Sequence, residues 1–167
     1  MDLFNFWLMP IVALIPLLIG SFWYHPSFFG KAWMKASGLT KEQVQSGNKF
    51  KIFGLAYIFS ILAAYILTFA TVHQTSIVQL FFMDPAINDP GSEFSNFTKE
   101  YMAAYGERHR TFGHGVVHGM EIGCFLGLAM IGVPSLFEQR SFKYIIIHVG
   151  FWVTCCALMG GLLCTFL

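Results

Sequence analysis

The chain has 167 residues and a mass of 18.8 kDa; 56% of it is hydrophobic, 17% aromatic and only 11% charged, against about 25% charged in an average soluble domain. With a mean hydropathy of +0.61 and a formal charge of +1, this excludes a soluble globule, a disordered chain, a disulfide scaffold and a basic nucleic-acid binder. A multipass membrane protein remains, because a helix crosses the bilayer with about 20 apolar residues and four such helices would take roughly half the chain.

The pattern predicts an all-α integral membrane protein: a single four-helix transmembrane domain over residues 1–167, with spans at about 3–24, 52–72, 112–137 and 144–167 and an outer loop at 73–111. Leu3 to Tyr24 is too long for a signal-peptide core and follows Asp2 rather than a basic segment, so it reads as the first span. Pro10 and Pro16 lie inside it, and each removes a backbone donor, which predicts a kink whose freed carbonyls a neighbouring helix must satisfy. The second span begins near Ile52, and the apolar Ile77 to Met83 reads as its extension past the membrane surface. The cysteines Cys124, Cys155, Cys156 and Cys164 fall in apolar runs and read as buried free thiols.

Basic residues set the orientation, since cytoplasmic loops retain Lys and Arg. Lys31, Lys35, Lys41, Lys49 and Lys51 lie in the first loop, and Arg140 and Lys143 in the third, against Lys99, Arg108 and Arg110 in the second. Loops one and three are therefore expected in the cytoplasm, with both termini and the second loop outside. In the first loop Trp23, Tyr24, Pro26, Phe29, Gly30 and Trp33 stand among lysines, as a stretch lying along the headgroups would. Thr40 and Gln43 have capping-box spacing, which predicts a short helix there. In the second loop Phe94, Phe97, Tyr101 and Tyr105 recur at helical spacing, predicting one amphipathic helix over about Ser92 to Tyr105.

The third span carries Gly115, Gly119, Gly123 and Gly127, every fourth residue. Each glycine costs about 1 kcal/mol of helix propensity relative to Ala, so a stripe of four implies close packing of backbones. The third span is thus expected at the centre of the bundle or of an oligomer.

Ionisable groups inside a membrane are functional-site hypotheses by default. His114, His118 and Glu121 lie on one face of the third span, spaced four and three residues apart. Two imidazoles and a carboxylate so placed can ligate a transition metal or relay a proton. The alternative is structural: His114 at the interface, His118 a satisfied core histidine, and Glu121 a buried hydrogen-bonding group facing Tyr65, Ser60 or Thr154. His109 could add a ligand from the outer surface. His148 enters from the cytoplasmic side and should differ from His118 by more than about 10 Å in depth, which excludes it from the site. No cofactor is expected beyond such a metal ion, and no nucleotide loop, nucleophile elbow, haem-attachment or metalloprotease motif is present, so an enzyme is not expected.

Two segments resemble a known family. Trp23-Tyr24-His25-Pro26-Ser27-Phe28-Phe29-Gly30-Lys31-Ala32-Trp33 is similar to the WY-x-P-x-x-FG-x-x-W signature of the family labelled domain of unknown function 1761. Phe137 to Lys143, His148-Val149-Gly150-Phe151-Trp152 and Leu158-Met159-Gly160-Gly161 resemble that family's last loop and span. His25 stands where the family usually has Ser, and the second loop is longer than in the typical member. The resemblance implies a small four-span protein of the bacterial cytoplasmic membrane and imports no activity. The leading expectation is a non-enzymatic membrane protein acting through helix packing, as a homo-oligomer or an accessory subunit in the lipid bilayer, with no nucleic-acid partner. The alternative is a carrier or channel for a proton, metal ion or small solute using the His/Glu face of the third span.

Overall fold

A computed structural model describes residues 4–81 and 84–167; Leu3 at the expected start of the first span, and Met83, lie outside the described residues. Every regular element among them is helical. In chain order these are α1 (Leu8–Val12), α2 (Ile15–Trp23), α3 (Gly30–Ser37), α4 (Lys41–Ser46), α5 (Lys49–Thr71), α6 (Thr75–Leu80), α7 (Glu93–Tyr105), α8 (Phe112–Phe137) and α9 (Phe142–Phe166), with a 3-10 turn at Pro85–Asn88 between α6 and α7.

Among the described residues three helices are long and apolar enough to cross a membrane, not four: α5 with 23 residues, α8 with 26 and α9 with 25. The expected first span is instead broken into α1 and α2, and the apolar helical stretch Leu8–Trp23 rises only about 24 Å, against a hydrocarbon core of about 30 Å. The prolines cause the break. Pro16 cannot donate to the Val12 carbonyl, and the chain leaves the α-helix at Ala13 and Leu14. Leu14 N–H turns to the Ile11 carbonyl, 3.2 Å away, and the Pro10 carbonyl this releases accepts from Tyr57 Oη of α5 at 3.0 Å. The α1–α2 segment lies along α9: Asn5 N–H donates to the Leu167 carbonyl at 2.7 Å, and Trp23 Nε1 to the Ile147 carbonyl at 3.1 Å.

The centre of the bundle is α9, not the third span. Of the most apolar stretch of α9, 56% is buried, against 22% for α5 and for α8. The glycines of α8 explain this, because they face α9 of the same chain. A Cβ on Gly119 would overlap the Cys156 carbonyl, one on Gly115 the Gly160 carbonyl, and one on Gly123 the backbone of Trp152 and Val153; Gly127 meets Val149 at ordinary contact. Gly150 and Gly161 of α9 meet rings instead of backbone, Gly150 that of Trp23 and Gly161 that of Phe112 at the start of α8. Near its end α8 opens into a π-helical turn, Leu128–Gly132, just before Pro134, whose missing N–H leaves the Met130 carbonyl without its α-helical donor.

At the basic end, Thr40 and Gln43 form the capping box, with Gln43 N–H donating to Thr40 Oγ1 at 3.2 Å and Thr40 N–H to Gln43 Oε1 at 2.8 Å. Arg140 Nη1 donates to the Ser37 carbonyl at 3.4 Å and ties the first loop to the third. At the other end α5 does not continue past the surface as expected. It stops at Thr71, turns through Val72 to Gln74 and restarts as α6. This break is what builds the site.

Candidate metal centre

Three histidines from two helix ends converge where α5 finishes and α8 begins. One ring nitrogen from each of His73, His114 and His118 lies within 4.8 Å of the other two. His73 Nε2 and His114 Nε2 are 3.0 Å apart. Two ligands held at about 2.0–2.1 Å from a tetrahedral ion stand about 3.3 Å apart, so the cluster lies within a small rotamer adjustment of coordination distance.

Each histidine is positioned from below. His73 sits in the turn after α5, and the next residue, buried Gln74, pins that turn by donating to the carbonyls of Tyr105 at 3.1 Å and Arg108 at 2.7 Å. Thr75 Oγ1 closes the same turn on the Val72 carbonyl at 2.7 Å. Thr111 caps α8 by accepting from His114 N–H at 3.3 Å, which sets the first turn of that helix. His118 follows one turn later on the same face. Its Nδ1 lies 3.1 Å from Glu121 Oε2; with the carboxylate accepting from Nδ1–H, the Nε2 lone pair is left for a metal. A carboxylate so placed orients a ligating imidazole and raises its basicity.

The sequence placed Glu121 among the ligands and made it a buried group; the structure sets it beside His118, and the expectation of burial is corrected. The ligand cluster among the described residues consists of the three histidines, and the Glu121 side chain is 51% exposed. Nor do Ser60 and Thr154 serve it. Their hydroxyls donate to the carbonyls of Ala56 and Gly150 on their own helices, while Tyr65 packs edge-on against Phe69. His109 joins the cluster as a cover: its ring stacks on that of His114, with centroids 5.0 Å apart and 21° between planes. Its backbone is left-handed, φ 64°, a conformation that costs a non-glycine residue energy and recurs at functional sites. The His109 carbonyl accepts from Cys164 Sγ at 3.2 Å, which anchors this bend to α9.

His73 was missed by sequence reasoning, which assigned it to the outer loop. A signal was present: His73 closes the second apolar run on the same side on which His114 opens the third, so the two share a depth. Burial holds the His73 pKa below its ordinary value, helped by repulsion from His118 and His109, and the neutral ring is the form that binds a metal. A pocket of about 220 Å³ opens beside it, lined by His73, Gln74, Tyr101, Tyr105, Arg108 and His109.

At the opposite end the expected headgroup motif packs inward. The Trp23 ring meets Phe29 and Phe151, and the Tyr24 ring meets Trp33. Tyr24 Oη lies 3.0 Å from His148 Nδ1, and burial raises the Tyr24 pKa well above its ordinary value. A Cβ on Gly30 would overlap the Tyr24 carbonyl, and Pro26 stays exposed.

No curated protein and no solved structure matches this chain. The model of the family described as Protein of unknown function (DUF1761) matches residues 8–164, nearly the whole length. The chain belongs to that family.

Proposed function

We propose that this integral membrane protein works through a mononuclear transition-metal centre, in which His73, His114 and His118 are the ligands and Glu121 fixes the ring of His118. The observation that carries the reading is the convergence of His73 on the pair already spaced along α8, since three imidazoles from two elements form a ligand set that two from one helix do not. Imidazole ligands suit zinc, copper, nickel and iron. A site at a helix end serves capture, transfer or Lewis-acid use of such an ion. Action through helix packing loses its main support, because the glycines that motivated an oligomer are covered by α9 of the same chain.

The test is the metal content and the zinc and cobalt binding isotherms of the detergent-purified protein. One equivalent is expected, abolished by His73→Ala and retained in His25→Ala, which alters an exposed histidine outside the cluster. Unaltered binding in His73→Ala, or none in the wild type, overturns the reading.

The reading also puts the chain in a bacterial cytoplasmic membrane with the centre on the outer face, supported by seven basic residues at the α3–α4 and α8–α9 loop end against three at the histidine end. A cysteine replacing exposed Lys99 should react with a membrane-impermeant thiol reagent in intact cells, and one replacing Lys41 should not. The opposite labelling pattern reverses the topology.

A further inference from the structure

Resting on the metal reading above, three neutral imidazoles leave one position of a tetrahedral ion unfilled and its full positive charge unbalanced. Glu121 does not balance it directly, because its carboxylate is engaged by His118. The pocket shares His73 with the cluster. Tyr101 and Tyr105, whose ring centroids are 5.3 Å apart, supply aromatic wall, and Arg108 lines the same space. At about 220 Å³ it is smaller than the roughly 300–1,000 Å³ of sites for drug-sized ligands. A flat group can lie against tyrosine rings, a guanidinium pairs with carboxylates in a bidentate fork, and a carboxylate oxygen is an ordinary zinc ligand.

We infer that the pocket lined by His73, Tyr101, Tyr105 and Arg108 admits a small planar carboxylate, one of whose oxygens takes the fourth coordination position of the metal while Arg108 offsets its charge. The centre is then an open site that exchanges a small organic acid, rather than a closed structural one.

The experiment loads the full-length protein in detergent with cobalt(II) and follows the visible ligand-field absorption during titration with benzoate, acetate and inorganic phosphate. Saturable changes with benzoate and acetate, stronger than with phosphate, are expected. Arg108→Gln should weaken the benzoate response about tenfold, with cobalt affinity read separately in the same preparation, and Arg108→Lys should recover part of the loss. A spectrum indifferent to all three anions but altered by His109→Ala would show that His109 swings in as a fourth imidazole, and overturns the inference. A stronger response to phosphate overturns the carboxylate class. Failure of cobalt to bind at all overturns instead the metal reading on which the inference rests.

Discussion

His73 Nε2 stands 3.0 Å from His114 Nε2 although 41 residues separate them. At that distance only one of the two nitrogens can carry a proton, and the other accepts it. A metal bound between them needs both lone pairs, so the shared proton must leave, to the Nδ1 of its own ring or to solvent. His118 needs no such change, because Glu121 already holds its Nδ1. The three ligands are therefore unequally prepared, and the carboxylate is what fixes the one that is ready.

That difference gives a prediction for Glu121→Gln. Outer-shell partners of metal ligands are worth about 10–100-fold in affinity, and glutamine keeps the size of the side chain while losing the charge. Metal affinity should fall by about that factor with the melting temperature of the apo protein unchanged, because Glu121 is half exposed and bonded only within its own helix. Isothermal titration beside a thermal melt separates the two, and an unchanged affinity removes Glu121 from the site.

The glycine contacts predict a sharp positional contrast along α8. Gly119→Leu drives a side chain into the Cys156 carbonyl, whereas the space above Gly113, six residues earlier on the same helix, is open. The first change should cost about 3 kcal/mol or more, since backbone cannot yield as a side-chain tip can, and the second no more than the ordinary propensity difference. Monodispersity in detergent and the denaturation midpoint report both. Because the partner is α9 of the same chain, the damage should appear in the monomer at any protein concentration.

The spans that are long, periodic and not broken by a proline near mid-run were legible from the residues. The expected third span has the bounds of α8, and Thr40 with Gln43 marked the capping box as well as the start of α4. The first span misled because apolar length was counted through Pro16, where backbone geometry rather than hydropathy decides the outcome. The centre of the bundle misled for another reason. Four glycines in register declare a close approach, but only the three-dimensional pairing says which surface approaches, and a helix that offers glycines can lie beside the centre. Two of the three ligands of the metal centre were readable as the i, i+4 pair on α8. His73 was not, because its role depends on α5 stopping at Thr71, and that stop is fixed by Gln74 reaching the carbonyls of Tyr105 and Arg108, residues more than thirty positions away.

A further prediction concerns the half-buried polar pair at the basic end. Tyr24→Phe removes the partner of His148 Nδ1, while Nε2 of the same ring already has no partner among the described residues. The histidine is then left without a hydrogen bond among them, and the variant should lose about 1–3 kcal/mol. His148→Phe should cost a similar amount by orphaning the phenol. The double variant should cost clearly less than the sum, because it leaves neither group unpaired. Additive losses in a denaturant series would mean that the two side chains act independently.

The last prediction is the pH dependence of metal binding. A proton and a metal compete for the same lone pair, so each ligand that protonates lowers the apparent affinity by up to about tenfold per pH unit once the pH is below its pKa. An ordinary histidine titrates near about 6.5, whereas His73 is held lower by burial and by the neighbouring histidines. His73 therefore stays available as the pH falls through the ordinary range. The sign for the apo fold follows from the same shift. A histidine whose folded-state pKa is depressed favours the neutral form in the fold, so its contribution to stability is intact above the unfolded value and is lost as the pH drops from there toward the lowered one. Zinc or cobalt isotherms taken from pH 8 to pH 5 should be flat at the upper end and fall as the ligand rings protonate. In His73→Ala the tight binding should be gone across the whole range. Affinity constant across that range would show that imidazoles are not the ligands.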